Sequence, residues 1–265
     1  YRLEMKLPHR LSQRSIDEFY NAGFTVVPDV LDVDNLKIVD HAFDRLQARA
    51  NELGETGMDQ NSQFVLSPSQ DAQDGDGVMI HRIVWCGGAE PELERIGRST
   101  AITELAADIL GDTDMVQLIN QAHFKLPGDG VRFDWHQDCL HRRYGTDEWT
   151  DTNGRGSFVE VIVAIDPMTE ENGAIEVVPY SCKQGALPVD PRTRSLLPDS
   201  FDPKDAITVS LAPGSALLLG PYTIHGSGPN ESNGPRRAFL NGFASPGANE
   251  RVYPGCGKGH PLTLC

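Results

Sequence analysis

Three residues in the second half of the chain have the types and spacing of metal ligands. His136 and Asp138 are separated by one residue, and residues i and i+2 of a strand point to the same face of a sheet. His225 follows 87 residues after Asp138, next to glycine-rich turns. Two imidazole nitrogens and one carboxylate on one side of a metal leave three positions open, which is the arrangement of non-haem Fe(II) oxygenases. Alone, His225 could equally be a hydrogen-bonded structural histidine.

A candidate anion-binding residue comes 11 residues after His225. Arg236 stands at the start of a predicted strand, Arg237–Phe243. An arginine that points inward can bind a dicarboxylate through two parallel hydrogen bonds, whereas a surface arginine at a strand end is the simpler alternative. Because Arg237 alternates to the other face, one of the two should point inward. Ser227 could add a hydroxyl to the same carboxylate.

The sequence predicts substrate-binding residues directly after the metal motif. Arg142 and Arg143, with Tyr144, follow Asp138 in a loop rich in Gly, Thr and Asp. Two adjacent guanidinium groups in an acidic chain could bind a carboxylate, phosphate or phosphonate. The alternative is a solvated loop in which both arginines pair with nearby aspartates.

A second set of polar residues precedes the metal motif on one predicted strand. The alternating residues are Gln117, Gln121, His123 and Lys125. They form either a polar pocket wall or the exposed side of an edge strand, and we favour the wall because this strand runs into the metal motif. We assign Gln121 to the cosubstrate and His123 to the substrate.

The elements that must position these residues change in type along the chain. Helical patterns cover Ser12–Asn21, a segment from Asp32 or Asp34 to Leu53, and Ser99–Leu110, with strands at Phe24–Val27 and Val78–Trp85. Seven short apolar or alternating runs follow, separated by Gly, Pro and Asn: Met115–Lys125, Arg132–Gln137, Phe158–Asp166, Ala174–Val178, Ile207–Leu211, Ala216–Leu219 and Arg237–Phe243. This order predicts a mainly β fold with N-terminal helices, a double-stranded β-helix or jelly roll.

We interpret residues 1–265 as one domain, with helical support over 1–111 and the jelly-roll core over 112–245. Residues 54–77 are rich in Gly, Asp, Gln and Ser and lack periodicity. A loop of that length is either a lid over the site or a disordered insertion.

Composition excludes several classes of partner. The net charge is −15 at pH 7, which argues against nucleic acid or an anionic membrane. No apolar run approaches the roughly 18 residues that a transmembrane helix needs, and no signal peptide is apparent. Five scattered cysteines without a CxxC pair suggest neither a disulfide framework nor a zinc knuckle. We therefore expect a cytoplasmic protein that acts on a small molecule, and its oligomeric state is not indicated.

Several motifs together carry a resemblance. Their order and spacing over residues 115–245 resemble the phytanoyl-CoA dioxygenase family of Fe(II)/2-oxoglutarate oxygenases. The matching motifs are Lys125-Leu-Pro-Gly-Asp-Gly130, Trp135-His-Gln-Asp138, Glu171-Asn-Gly-Ala-Ile-Glu-Val-Val-Pro-Tyr-Ser-Cys-Lys183, His225-Gly-Ser227 and Arg236. Where the family commonly has Pro-Gly-Ser-His, this chain reads Pro179-Tyr-Ser-Cys182, so no role passes to a histidine there.

The resemblance implies specific roles. His136, Asp138 and His225 would hold Fe(II), while Arg236 with Ser227 would bind the distal carboxylate of 2-oxoglutarate. The cofactors would be Fe(II), 2-oxoglutarate and O2, with ascorbate as a supporting reductant. The family couples decarboxylation of the cosubstrate to oxidation of a C–H bond. Related halogenases lack the carboxylate, so Asp138 favours hydroxylation.

Other outcomes and other classes remain as alternatives. The same cofactors support desaturation or cyclisation in some relatives. A zinc-dependent hydrolase or isomerase on a jelly roll could use the same triad to activate water, although it would have no need for Arg236. A non-catalytic binding protein is the third alternative. We predict a dioxygenase that hydroxylates a small polar, anionic metabolite carrying a carboxylate, phosphate or phosphonate.

Overall fold

The computed structural model describes residues 10–68, 78–190, 192, 195–197 and 199–264. The helices are α1 (Gln13–Ala22), α2 (Val33–Leu53), α3 (Pro91–Gly97), α4 (Thr100–Leu110) and α5 (Asp138–His141). The strands are β1 (Phe24–Val27), β2 (Gly57–Asp59), β3 (Ser62–Pro68), β4 (Val78–Val84), β5 (Asp114–His123), β6 (Phe133–His136), β7 (Phe158–Ala164), β8 (Glu176–Val177), β9 (Ile207–Thr208), β10 (Ala216–Leu219), β11 (His225–Ser227), β12 (Ala238–Ala244) and β13 (His260–Thr263).

The first two helices begin and end where the sequence predicts. The Ser12 hydroxyl accepts a hydrogen bond from the amide of Ser15 at 3.1 Å, and the Asp32 carboxylate accepts one from the amide of Asn35 at 2.8 Å. Both helices end at a glycine in the left-handed region, Gly23 and Gly54, where a residue without a Cβ has no steric penalty. Local capping chemistry therefore determines these boundaries.

The larger sheet supports both the helices and the site. Among the described residues its strand order is β1-β10-β7-β12-β5-β4-β3-β2, with β13 also paired to β5. β7, β10 and β12 are buried along their whole length. One face packs against apolar residues of the helices, such as Val39, Phe43 and Leu46. The other face packs on a second apolar cluster that includes Ile162, Val177 and Leu217.

A smaller sheet completes the jelly roll. In the described part of the chain its order is β6-β11-β8-β9, and β11 lies antiparallel to β6 with His225 opposite His136. Strand pairing thus brings together two residues that are 89 positions apart. The prediction of a mainly β jelly roll with N-terminal helices is confirmed.

The prediction of an unstructured loop over residues 54–77 is wrong for its first half. β2 and β3 form an antiparallel hairpin that extends the larger sheet through β4. Its alternating burial, with Phe64 and Leu66 inward, was obscured in the sequence by flanking polar residues. Residues 69–77 lie outside the described residues, so the lid stays a prediction.

The single-domain interpretation also stays a prediction, but residues 1–111 contribute more than helical support. β1 pairs with β10 and β4 pairs with β5. Strands from the two predicted parts therefore share one sheet. No described helix combines the length and apolar character needed to cross a bilayer.

Candidate active site

His136, Asp138 and His225 meet at one end of the smaller sheet. One ligand atom from each lies within 4.8 Å of the other two. His136 ends β6, His225 begins β11, and Asp138 begins α5. The imidazole centroids of His136 and His225 are 4.1 Å apart. In the part of the chain that the structure describes, no other group of histidine, cysteine or acidic residues has this geometry.

Backbone carbonyls fix the tautomers of both histidines. Nδ1 of His136 lies 2.6 Å from the carbonyl of Asp134, and Nδ1 of His225 lies 3.0 Å from that of Thr223. Because a carbonyl only accepts, Nδ1 carries the proton in each ring and Nε2 keeps a free lone pair. Metal-binding histidines characteristically have this second hydrogen bond.

The electrostatics of the triad also fit a divalent cation. Burial and then the neighbouring His225 lower the pKa of His136 to about 3, so its imidazole is neutral. Burial opposes ionisation of Asp138, but His225 and Arg142 hold the pKa of its carboxyl below the usual range. The Oδ2 atom of Asp138 is buried and accepts no hydrogen bond. The protonated Glu160 carboxyl hydrogen-bonds the Asp138 carboxylate, and this carboxylate beside two imidazole lone pairs suits a divalent cation.

Two buried cations lie near the triad. Lys125 and Arg236 form a backbone pair, with N–O distances of 3.1 and 2.9 Å, and both side chains are almost fully buried. The Lys125 ammonium donates to Ser227 Oγ at 2.6 Å, to the carbonyl of Gly173 at 3.1 Å, and to that of Gly228. Arg236 donates to the same Gly173 carbonyl at 2.7 Å, and its Nε has no partner. We call Lys125 and Arg236 the cation pair.

The expected difference between Arg236 and Arg237 is confirmed. Arg236 lines the same cavity as the triad. Arg237 donates on the opposite side of the sheet to Asp40, Asp44 and Asp166, with distances of 2.6 to 3.0 Å. Arg237 thus joins helix α2 to the sheet.

The cavity around the triad has a volume of about 470 Å³. Five arginines line it: Arg82, Arg132, Arg142, Arg236 and Arg251. The acidic residues in its wall are Asp134, Asp138 and Glu160. Arg132 pairs with Asp134 at 3.5 Å, and burial and the charge of Asp138 raise the pKa of Glu160 well above its usual value. The wall is therefore cationic, although the whole chain is acidic.

The phytanoyl-CoA dioxygenase (PhyH) profile matches residues 19–238. The chain belongs to this family. Its members depend on Fe(II) and 2-oxoglutarate, so the predicted resemblance, class of enzyme and cofactors are confirmed at the level of the family. The triad and the cation pair lie within the matched residues.

The individual relatives described next share less than 30% sequence identity with this chain. A probable alpha-ketoglutarate-dependent hypophosphite dioxygenase of Stutzerimonas stutzeri is 29% identical over 178 residues, 63% of this chain and 57% of that protein. A methylphosphonate hydroxylase of Gimesia maris is 26% identical over 155 residues, 57% of this chain and 55% of that protein. The chain thus spans little more than half the length of these relatives. The crystal structure of EvdO2 from Micromonospora carbonacea with 2-oxoglutarate has a TM-score of 0.66 at 23% identity, covering 95% of this chain and 98% of that one, and shows the same fold.

The polar wall predicted on β5 is only partly correct. Gln121 and His123 line the cavity, and the His123 ring stacks on Phe133 with centroids 4.8 Å apart. Gln117 instead lies on the other face, where it donates to Asn241 and accepts from Arg98. The cause is a β-bulge at Leu118, where the pairing steps from Ile119 to Gln117, because an extra residue reverses the alternation.

In the loop after Asp138, Arg142 and Arg143 have different surroundings, although the sequence predicted that both bind the substrate. Arg142 is buried and lines the cavity, with its guanidinium 5.1 and 5.3 Å from the ring centroids of Phe158 and Tyr253. Arg143 is exposed and lies 3.7 Å from Glu148. The prediction that both arginines contact the substrate is therefore wrong for Arg143. Helix α5 ends at His141, and Arg143 has a φ of +65° in the left-handed region, so the backbone turns its side chain away from that of Arg142.

Tyr144 is also outside the cavity, contrary to its assignment to the substrate. Its ring stacks on Trp149 with centroids 4.7 Å apart, and its hydroxyl donates to the carbonyl of Gly156. Tyr144 thus fastens the loop rather than reaching the site.

Arg82, Glu160, Arg251 and Tyr253 are among the cavity residues that were not found from the sequence. A signal existed for Glu160, a single acid within the apolar run of β7, and a weaker one for Arg82, a charge in the apolar strand β4. Arg251 and Tyr253 belong to a segment without periodicity. Only its docking against the sheet places them in the wall.

Proposed function

We propose that the protein is an Fe(II)/2-oxoglutarate-dependent dioxygenase that hydroxylates a small anionic metabolite. One observation carries the proposal: the His-Asp-His triad and the buried guanidinium of Arg236 line one cavity. A metal-dependent hydrolase has no need for the second feature. Family membership supports the same cofactor chemistry.

In this proposal His136, Asp138 and His225 hold the iron from one side. Their preset tautomers and the unpartnered Oδ2 atom of Asp138 make the three donors ready without rearrangement. When bound, Fe(II) with 2-oxoglutarate supplies the O2-dependent oxidation of a C–H bond and releases succinate and CO2. The chain's task is to aim that bond and to exclude bulk water.

Arg236 and Ser227 are proposed to hold the distal carboxylate of 2-oxoglutarate. The Nε of Arg236 is buried without a partner, and the Ser227 hydroxyl accepts from Lys125. Both groups thus have a proton to donate to an anion. We retain Gln121 as a further cosubstrate residue, because it lines the same cavity and its amide can donate.

Three arginines, Arg82, Arg142 and Arg251, which we call the arginine cluster, are proposed to bind the substrate. Arg82 has no ion pair with any described residue, and desolvation and the charge of Arg142 lower its pKa although solvent reaches it through the cavity. The Nε of Arg142 is buried without a partner, and the guanidinium lies beside the hydroxyl of Tyr253. Unpartnered donors around a cavity are suited to an oxyanion.

The size of the cavity and the names of two relatives narrow the class of substrate further. A cavity of about 470 Å³ suits a small metabolite rather than a long acyl-CoA. The two relatives described above are named for hypophosphite and methylphosphonate, both phosphorus oxyanions. We therefore propose a carboxylate, phosphate or phosphonate group on the substrate, with His123 as an additional contact.

The surroundings of the protein are also part of the proposal. The net charge of −15 disfavours nucleic acid and anionic membranes as partners. Cys86, Cys139, Cys182 and Cys256 are all free thiols, which suits a reducing cytoplasm.

The experiment measures succinate and product from Fe(II)-loaded protein under air, with a panel of small carboxylates, phosphates and phosphonates. A hydroxylase adds one oxygen to the substrate, whereas a desaturase or cyclase removes two hydrogens, and mass spectrometry separates these results. No succinate with any member of the panel, and none without substrate, would count against the proposed class.

His225→Ala is the sharpest variant for this test. We expect it to lose both iron retention, measured by metal analysis after gel filtration, and all succinate formation, because two ligands remain of three. Substitution of His41, an exposed histidine on α2, by alanine is the matched control and should retain both. Normal iron content in the His225 variant would overturn the metal assignment.

A further inference from the structure

Lys125 is an unusual neighbour for Arg236. The two residues form a hydrogen-bonded antiparallel backbone pair, so their side chains leave the same face side by side. Like charges directly opposite each other destabilise a sheet, and both side chains are almost fully buried. Among the described residues, neither has a salt bridge to a carboxylate. Two adjacent buried basic side chains without a carboxylate partner suit an anionic ligand.

The three acceptors around Lys125 match one protonation state. An ammonium has three donors, and here they reach Ser227 Oγ, the Gly173 carbonyl and the Gly228 carbonyl. Ser227 then accepts, so its own hydroxyl proton is free for a ligand. A neutral amine has two donors, which the two carbonyls take. Its lone pair would then accept the Ser227 proton and withdraw it from any ligand.

We propose that Lys125 is a positioning residue that couples binding of the distal carboxylate of 2-oxoglutarate to uptake of one proton, acting through the hydroxyl of Ser227. This inference rests on the proposed placement of that carboxylate between Arg236 and Ser227. Lys125 does not line the cavity itself. The proton comes from solvent and remains on the Lys125 nitrogen while the anion is bound.

The charges around Lys125 give the coupling its direction. Burial and then Arg236 lower the pKa of Lys125 to about 6, while Asp129 and Glu176 act weakly in the opposite sense. His123 on β5 also faces this region, and the ring of Phe133 lies 5.7 Å from the ammonium. The pKa of a lysine rises when an anion binds nearby. Below pH 6 the amine is already charged. Above pH 6 binding takes up a proton, so the affinity for 2-oxoglutarate falls as the pH rises.

Gly173, whose carbonyl accepts hydrogen bonds from both Lys125 and Arg236, holds this arrangement in place. Gly173 has a φ of +68°, and a Cβ there would lie 2.3 Å from the Gly228 carbonyl and 2.5 Å from that of Pro229. The two loops can approach this closely only because residue 173 has no side chain. Their carbonyls therefore meet at Lys125 as fixed acceptors.

The test is calorimetric titration of Zn(II)-loaded protein with 2-oxoglutarate at pH 6, 7 and 8, in two buffers of different ionisation enthalpy. For the wild type we expect proton uptake at pH 7 and 8 and a loss of affinity of up to ~tenfold per pH unit. Lys125→Met should bind weakly at pH 6 and lose this uptake. Lys204→Met, at an exposed lysine, should behave as the wild type.

A second variant keeps the test decisive if Lys125→Met does not fold. Ser227→Ala removes the relay and leaves the lysine, so its affinity at pH 6 should fall toward the wild-type value at pH 8. Equal uptake and equal pH dependence in the wild type and in the variants would overturn the inference. Unchanged affinity in Arg236→Leu would instead show that the proposed cosubstrate placement is wrong.

Discussion

The chain contains two pairs of consecutive arginines in which neighbouring residues have opposite surroundings. Arg237 is bound by three carboxylates, whereas Arg236 next to it is bound by none. Arg143 lies beside Glu148, whereas Arg142 lies under two aromatic rings with an unpartnered Nε. In each pair one arginine is ion-paired outside the cavity and the other faces the cavity. Four predictions test this comparison.

The largest expected effect is on stability, at Arg237. Arg237→Leu should lower the free energy of unfolding by roughly 3 kcal/mol, because it leaves the partly buried Asp166 without its partner. This value is the low end for a broken buried pair, since Asp40 and Asp44 are 42% and 63% exposed. Urea denaturation of Arg237→Leu and of Arg236→Leu measures the loss in free energy of unfolding for each variant. Arg236→Leu should lose little stability, because Arg236 has no carboxylate partner to leave unpaired.

The second prediction concerns cosubstrate binding, for which Arg236→Leu should have a larger effect than Arg237→Leu. Arg236→Leu should weaken 2-oxoglutarate binding by about 1.5–3 kcal/mol, the worth of hydrogen bonds to a charged group. Arg237→Leu, assayed below its unfolding temperature, should change it less than about twofold because it faces α2. Equal losses in the two variants would show that the side chains do not have opposite functions.

The third prediction applies the comparison to the other pair. Arg142→Ala should lower substrate-dependent succinate formation about tenfold, equivalent to about 1.4 kcal/mol, because it removes a buried donor from the cavity. Arg143→Ala should leave the rate unchanged within about twofold. Steady-state assays with the substrate that the proposed panel identifies measure both rates, and a larger loss for Arg143→Ala would contradict the division.

The smallest effect is expected at the solvent side of the Arg237 network. Asp44→Asn should cost no more than about 0.5–1 kcal/mol of stability, since its side chain is 63% exposed and exposed ion pairs contribute little. Thermal unfolding in low and high salt should show a difference only at low salt. A loss as large as that of Arg237→Leu would mean that the network acts as one unit.

The features that were predicted correctly from the sequence depend on local interactions and on a known order of motifs. The caps at Ser12 and Asp32, the alternation of Arg236 and Arg237, and the triad motif each depend on residues close in sequence or on a known pattern of motifs. The errors have non-local causes. The bulge at Leu118 depends on pairing with β12, and the hairpin over 57–68 is stabilised by β4. Arg143 was misplaced because a short helix, α5, replaced the expected extended loop.

The bulge at Leu118 has a consequence for how this scaffold can change over generations. Its carbonyl accepts from the thiol of Cys256, and its side chain meets the segment at Gly259, so the bulge is where residues after β12 dock. That segment carries Arg251 and Tyr253, whereas Lys125, Ser227 and Arg236 lie before or at the closing strands. The segment after residue 248 thus adds Arg251 and Tyr253 to the cavity wall without carrying any of the proposed iron or cosubstrate residues, whereas Arg82 and Arg142 of the proposed arginine cluster lie elsewhere in the chain. We therefore expect mutations after residue 248 to change this part of the cavity wall and to leave the proposed iron and cosubstrate residues in place, which makes the segment one place for new substrate preferences to arise.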